Sequence, residues 1–181
     1  MTFEKKILAE MPKCYALGMF EGEDTPSFLA AVEKDGPIRR FTLDGEPLET
    51  VAPGPGGVMT ITQVPGRKDQ FLATRKFFSP NFGGDDAAIA SYTKQADGSW
   101  SEQILCDLPY VHRFGILKAA DGQLWVLACS IKGGAETGVK DDWRTPGGVW
   151  AAPLRDNLEQ YTADNQLKLT CVANYQVQNH G

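Results

Sequence analysis

Two histidines carry the most specific chemistry in the sequence. His112 and His180 are the only imidazoles among the 181 residues, and each lies at the beginning of a segment that is typical of a β-strand. Two imidazoles at equivalent positions of adjacent strands could share a divalent metal ion or flank a substrate. Alternatively, each histidine makes its own structural hydrogen bonds. Arg113 follows His112, so strand alternation predicts that only one of these two side chains points to a shared site.

A second group of charged and aromatic residues lies at and after the ends of two other predicted strands. Its members are Arg75, Lys132, Asp141, Asp142, Trp143 and Arg144. Arginine pairs with carboxylates and phosphates, carboxylates accept hydrogen bonds from sugar hydroxyls, and tryptophan stacks on sugar rings. Together with Arg113, the group is typical of a site that binds a small hydroxylated or anionic molecule. A salt-bridged surface, with Trp143 packed on the edge of a sheet, explains the same residues without a ligand.

An internal repeat indicates how these residues are positioned. Residues 58–73 align without a gap with residues 111–126, and a weaker copy precedes both. Asp-Gly pairs, such as Asp35-Gly36 and Asp121-Gly122, separate short apolar runs and are strong signals for β-hairpins. The repeat therefore predicts units of four short strands joined by tight turns.

The predicted strands fall into three complete units. They cover residues 14–20, 27–32, 37–43 and 47–51 in the first unit, 58–64, 70–76, 87–93 and 100–105 in the second, and 111–117, 123–129, 148–153 and 167–172 in the third. The units span residues 12–52, 57–106 and 110–172, and a further unit begins at residues 175–181. Residues 154–167 are expected to form a surface loop with a helical turn.

Four-stranded units that recur every ~40–50 residues are typical of a β-propeller. The sequence therefore predicts an all-β protein in which residues 1–181 form a single propeller of four-stranded antiparallel blades. A ring closes with about four to eight blades. Three blades and the start of a fourth predict an incomplete ring, which is either a fragment of a longer propeller or closes with a partner chain. A β-sandwich or barrel is the alternative fold.

In a propeller, the first strand of each blade lines the central channel, which places His112 and His180 at the channel mouth. The loops between second and third strands, predicted at residues 33–36, 77–86 and 130–147, emerge on one face. They carry the second group of charged residues except Arg75, which ends a strand at the same face. Loops of this length without structure of their own are usually functional or disordered.

Composition narrows the class of protein. The formal net charge of -5 argues against a nucleic-acid partner. No apolar run approaches the roughly 18 residues of a membrane span, and the beginning of the sequence lacks a secretion signal, so a cytoplasmic protein without membrane contact is expected.

The four cysteines are Cys14, Cys106, Cys129 and Cys171. They lie in or beside apolar runs and form no C-x-x-C pair, so they are expected to be reduced and buried.

The third unit resembles blades of the integrin-like (FG-GAP/VCBS-type) propellers and, among enzymes, the propeller of aldos-2-ulose dehydratases. The resemblance covers mainly residues 107–154 and rests on Val111-His112-Arg113-Phe114, Asp121-Gly122 and the run from Asp142 to Trp150. The calcium-binding D-x-D-x-D-G loop of integrin-like blades is reduced here to Asp121-Gly122, which argues against calcium. The dehydratase resemblance implies a metal-assisted sugar lyase with histidines in its channel, here His112 and His180.

Two functions are consistent with these residues. The first is a propeller that binds a small carbohydrate-like ligand on its loop-bearing face and acts as a sugar lyase or dehydratase, with histidine as general base or as ligand of a divalent metal. The second is a non-catalytic propeller that serves as a protein-interaction platform. Convergence of the candidate residues in one pocket would favour the first, and their separation beside an exposed, flat apolar face would favour the second.

Overall fold

Three four-stranded antiparallel sheets follow one another along the chain in the computed structural model, which describes residues 3–22, 25–78, 83–134 and 143–175. Blade 1 consists of β1 (Cys14–Glu21), β2 (Pro26–Val32), β3 (Ile38–Thr42) and β4 (Pro47–Ala52). Blade 2 consists of β5 (Ile61–Gln63), β6 (Gln70–Arg75), β7 (Ala88–Lys94) and β8 (Trp100–Asp107). Blade 3 consists of β9 (Val111–Lys118), β10 (Leu124–Lys132), β11 (Pro146–Pro153) and β12 (Thr170–Tyr175). Within each blade the strands lie side by side in chain order.

A residue with a left-handed backbone conformation precedes the inner strand of each blade. Its φ is 55° at Lys13, 67° at Gly57 and 56° at Tyr110. The carbonyl of that residue accepts a hydrogen bond from the end of the blade's second strand or the chain just after it, through the N–H groups of Glu33, Phe77 and Ile131 at 3.0, 3.1 and 3.1 Å. At Gly57 a Cβ would lie 2.3 Å from the Phe77 nitrogen, so glycine is required there. The repeat seen in the sequence is therefore also a repeat of the backbone.

Blade 2 is buried on both faces because it lies between the other two. Along β6, Phe71 and Ala73 belong to an apolar cluster shared with blade 1, whereas Leu72 belongs to one shared with blade 3. Alternate residues of a strand point to opposite faces, so one strand contributes to both interfaces. This stacking is a propeller-like arrangement of blades, and the strands in the described residues do not close a ring.

The outward faces of blades 1 and 3 expose large apolar side chains. Leu17 and Met19 of β1 are 67% and 64% exposed, and Leu117 of β9 is 55% exposed. Trp125 and Leu127 of β10 lie beside Leu117 in the same sheet and are also partly open to solvent. Each outward face is therefore built like a blade interface but has no blade against it among the described strands.

The predicted all-β fold of four-stranded antiparallel blades in an incomplete ring is confirmed, and the strand ends lie within three residues of their predicted positions. The segment 154–167 contains the expected helical turn, a 3-10 turn at Leu158–Gln160. It is more than a surface loop, however, because Leu158, Tyr161 and Leu167 pack into the cluster between blades 2 and 3.

The prediction that all four cysteines are buried is wrong. Only Cys106 is buried; Cys14, Cys129 and Cys171 are exposed, and all four are free thiols. Cys129 is exposed because its side chain lies on the outward face of blade 3, and Cys171 because it belongs to the outermost strand, β12. Burial raises the pKa of the Cys106 thiol to about 12, so this thiol stays protonated at neutral pH.

Within the part of the chain that the structure describes, no helix has both the length and the apolar character needed to cross a membrane.

Candidate functional site

The innermost strands of blades 1 and 3 each begin with a β-bulge. In β1 the pairing with β2 shifts between Cys14 and Ala16, which makes Tyr15 the extra residue. In β9 the partners of Val111 and Arg113 are consecutive residues of β10, which makes His112 the extra residue. A bulge re-aims a side chain and is frequent next to functional sites. Tyr15 and His112 are thereby directed toward each other from two different blades.

Tyr15, His112 and Arg113 form a hydrogen-bonded series, which we call the inner-strand site. The Arg113 guanidinium donates through Nη2 to the Tyr15 hydroxyl at 3.2 Å, and this hydroxyl lies 3.4 Å from His112 Nε2. Since the hydroxyl oxygen already accepts from Arg113, its hydrogen can point to Nε2. Arg113 also donates through Nη1 to the Met59 carbonyl, which connects the site to blade 2. All three blades therefore contribute to the site.

Alternation along a regular strand predicted that His112 and Arg113 would diverge. Both side chains instead approach the Tyr15 hydroxyl, because the bulge at His112 interrupts the alternation. The backbone of the bulge is fixed by Thr60 Oγ1, which donates to the His112 carbonyl at 3.1 Å.

The His112 imidazole is held in its uncharged form. Burial lowers the pKa of His112, and the positive charge of the adjacent Arg113 lowers it further. The Phe77 ring, with its centroid 5.3 Å from that of the imidazole, contributes to the burial. An uncharged imidazole can accept a proton at neutral pH, so His112 has the properties of a general base.

A second cluster surrounds Lys132. Its ammonium nitrogen lies 4.3 Å from the ring centroid of Tyr110 and 5.0 Å from that of Trp143, and the residue is only 1% exposed. The Tyr110 hydroxyl donates to Asp85 Oδ2 at 2.9 Å. Trp143 thus lies over Lys132 at the end of β10, and the two aromatic rings stabilise the positive charge by cation–π contacts. The predicted ligand-binding roles of Lys132 and Trp143 stay predictions.

The residues predicted for the site fall into separate groups. His112 and Arg113 lie together in the inner-strand site, and Lys132 and Trp143 lie together in the second cluster. Phe77 adjoins both, with its ring centroid 6.3 Å from that of Tyr110.

Arg75 belongs to neither group. It pairs with Glu102, which also accepts a hydrogen bond from Tyr92, on the side of blade 2 that faces blade 1. Arg144 is exposed on the loop. Asp141, Asp142 and His180 lie outside the described residues, so their predicted roles remain predictions.

The described surroundings of His112 do not by themselves fit a metal ion. Its polar neighbours are the Tyr15 hydroxyl and the Arg113 guanidinium, and a guanidinium is a cation without an acceptor lone pair. Within residues 3–22, 25–78, 83–134 and 143–175, no group of three or more His, Cys, Asp or Glu side chains could hold a metal.

A cavity of about 510 Å³ lies between the end of β8 and strands β10 to β12. Its lining includes Asp107, Pro109, Ser130, Gly134, Trp150 and Leu169. The Ser130 hydroxyl is already engaged within blade 3, where it accepts from Trp150 Nε1 at 3.0 Å and from the Gly148 N–H at 3.1 Å. The inner-strand site is the stronger candidate because its polar groups come from different blades.

Sequence reasoning missed Tyr15 and Phe77. A signal for Tyr15 was present, because Tyr15 is the second residue of the first predicted strand in its unit, as His112 is in the third unit. The bulges that turn both side chains inward leave no comparable mark in the sequence.

No protein-family model matches the chain, and no curated protein matches it in sequence. Among solved structures, Kuenenia stuttgartiensis hydrazine synthase has a similar fold, with a TM-score of 0.52 and 10% sequence identity. The similarity covers 86% of this chain and 41% of that protein, so the chain spans about two fifths of that protein's length. At this identity the likeness shows the fold alone. The chain is an all-β protein of propeller-like blades, and the resemblance to integrin-like and dehydratase propellers stays a prediction.

Proposed function

We propose that the protein binds a small, hydroxylated anion of the sugar-acid class at the inner-strand site. The observation that supports this is the hydrogen-bonded series from Arg113 through Tyr15 to His112, in which Tyr15 and Arg113 are exposed to solvent. A guanidinium recognises a carboxylate, and a phenol and an imidazole recognise hydroxyl groups. The three side chains thus match the two kinds of polar group that a sugar acid carries.

The same residues suit the elimination of water from a hydroxy acid, which is a lyase reaction. The imidazole of His112 accepts the proton from the carbon next to the carboxylate, while Arg113 stabilises the negative charge that develops on the carboxylate oxygens. The C–O bond at the next carbon breaks, and Tyr15 gives its proton to the departing hydroxide, so that water leaves. The imidazolium then returns its proton to the tyrosinate, which restores both groups.

Calorimetric titration with D-glucuronate and D-gluconate tests the binding. We expect the wild type to bind at least one of these acids at millimolar concentration. Arg113→Gln should weaken binding by about 2 kcal/mol, roughly thirtyfold in Kd, because it removes charge-assisted hydrogen bonds to the carboxylate. Lys118→Gln is a matched control, since Lys118 is a cation at the far end of the same strand and is also exposed.

Two results would contradict the proposal. One is the absence of binding of both acids by the wild type at millimolar concentration. The other is equal weakening by Arg113→Gln and Lys118→Gln, which would show that only general positive charge matters. Circular dichroism of each variant establishes that it is folded before titration.

A second candidate function, a protein-interaction platform, is favoured by two observations: the predicted site residues fall into separate groups, and the outward face of blade 3 is exposed and apolar. At the repeat positions of Leu117 and Trp125, blade 2 has Val64 and Leu72, both fully buried in the cluster shared with blade 3. The outward face of blade 3 therefore has the position and the apolar character of a surface that takes another β-sheet.

Sedimentation velocity tests this second function. We expect the wild type to self-associate as its concentration rises, because exposed apolar sheet faces of this kind associate, and the double variant Trp125→Lys/Leu127→Lys to remain monomeric. Leu43→Lys is the control, since Leu43 is also exposed but lies in the turn between β3 and β4. A wild type that stays monomeric at every concentration would argue against this function.

A further inference from the structure

The segment that precedes β1 repeats the sequence that ends β8. Ile7-Leu8-Ala9-Glu10-Met11-Pro12 aligns without a gap with Ile104-Leu105-Cys106-Asp107-Leu108-Pro109. In blade 2 the second of these sequences is the end of the outermost strand and the beginning of the turn into the inner strand of blade 3. The first leads in the same way into the inner strand of blade 1.

The backbone confirms that the two turns are equivalent. Lys13 and Tyr110, which occupy the same place in the alignment, have φ angles of 55° and 56°. The next residue in each turn donates its N–H to the carbonyl three residues earlier: Cys14 to Met11 and Val111 to Leu108, both at 3.1 Å.

The two segments differ in what surrounds them. In β8, Leu105 and Cys106 are 0% and 2% exposed, and the strand pairs with β7. The matching residues Leu8 and Ala9 are exposed, and residues 3–13 take part in no strand of the described chain. The segment lies near the β3–β4 turn, where Lys6 Nζ donates to the Asp44 carbonyl at 3.1 Å. The segment thus resembles an outermost strand in sequence, but it pairs with no strand of the described chain.

The outward face of blade 1 likewise has no sheet packed against it among the described strands. Under the same alignment, Leu17 and Met19 correspond to Phe114 and Ile116 of β9. Phe114 is buried in the cluster that joins blade 3 to blade 2, and Ile116 packs against that cluster. Leu17 and Met19 are more than half exposed. Blade 1 therefore presents the surface that, on blade 3, is covered by a blade like blade 2.

We propose that residues 3–10 act as a donated strand that completes a three-stranded antiparallel blade, and that this blade covers Leu17 and Met19 of blade 1. The partner is a β-sheet of three strands with a free edge and one apolar face. Its edge would gain main-chain hydrogen bonds from residues 3–10, as β7 does from β8, and its face would bury Leu8 together with Leu17 and Met19. The interface between blades 2 and 3 is the template for this contact.

A fusion protein tests the proposal with the whole chain. Residues 57–100, which contain the first three strands of blade 2, are placed directly before residues 4–181, so that residues 4–10 take the position of β8. We expect backbone amides of residues 4–10 to exchange hydrogen roughly a hundredfold more slowly in the fusion than in the chain alone. The matched control is the same fusion with Ile7→Ser/Leu8→Ser, in which the exchange should stay fast.

The following results would overturn the proposal. Slow exchange of residues 4–10 in the chain alone would mean that the segment already has a partner. Fast exchange in the fusion, or equal protection in the Ser/Ser control, would mean that its sequence does not act as a strand. A second fusion, with the β8 residues 101–107 in place of residues 4–10, should be protected. If it is not, the face of blade 1 does not accept a blade.

Discussion

Replacing Glu49 by glutamine is expected to lower the free energy of unfolding by about 2 kcal/mol, because it removes the charge from a carboxylate that accepts hydrogen bonds from a buried arginine and from two side chains of blade 2. Arg40 is 1% exposed, and its Nη1 lies 3.0 Å from Glu49 Oε1. Lys94 and Trp100 also donate to this carboxylate, at 3.0 and 2.9 Å. Since Lys94 and Trp100 belong to blade 2, the carboxylate of Glu49 connects blades 1 and 2. The expected loss is measured by chemical denaturation at neutral pH.

The effect of this substitution should depend on pH. Burial on its own would raise the pKa of Glu49, but the hydrogen bonds from Trp100, Arg40 and Lys94 and the charge of Lys94 outweigh it, so the pKa lies below its ordinary value of 4.5. A carboxyl group whose pKa is lower in the folded state contributes its full stability above the unfolded value and loses it as the pH falls through the folded value. The stability difference between wild type and Glu49→Gln should therefore be largest above pH 4.5 and shrink below it.

The matched control is Glu46→Gln, which removes a carboxylate from an exposed position before the same strand. Its effect should stay within about 0.5 kcal/mol. A Glu49→Gln variant as stable as Glu46→Gln, or a difference that does not change with pH, would show that the carboxylate does not hold the two blades together.

The sequence was sufficient to predict the blades because their signals are local. Asp-Gly turns such as Asp97-Gly98 and Asp121-Gly122 mark hairpins within a few residues, and the repeat between residues 58–73 and 111–126 extends the same pattern along the chain. The stacking of blade 2 between its neighbours has a signal in the sequence that the prediction did not use. A strand such as β6, which is apolar at consecutive positions, must be buried on both faces.

The candidate site was predicted only in part because it depends on contacts between distant segments. Tyr15 and His112 belong to different blades, and a β-bulge turns each side chain toward the other. No residue pattern in the sequence predicted these bulges. Lys132 was predicted as a ligand-binding cation, and nothing in the sequence indicated that it would be buried against two aromatic rings. Tyr110 and Trp143 are distant from Lys132 along the chain, so no local sequence pattern reveals these contacts.

The largest expected loss of stability comes from Phe71→Ala, at about 3–5 kcal/mol. Phe71 is fully buried, and its ring centroid lies 5.0 Å from that of Tyr92, 5.8 Å from that of Phe20 and 5.6 Å from that of Trp100. Removing the ring leaves a cavity at the centre of the interface between blades 1 and 2, and the stacked rings around it cannot all collapse into the space.

This substitution also tests how the inner-strand site is held together. Phe20 belongs to β1, the strand that carries Tyr15, whereas His112 belongs to blade 3, so the approach of Tyr15 to His112 depends on the packing of β1 against blade 2 through Phe71. Denaturant unfolding gives the loss of stability, with Phe3→Ala as the control because Phe3 is 90% exposed. The nuclear magnetic resonance signals of the His112 ring in the folded variant report whether Tyr15 has moved. Equal stability of the two variants would refute the assigned role of Phe71, and an unchanged His112 signal in a destabilised Phe71→Ala would show that the inner-strand site is held without this interface.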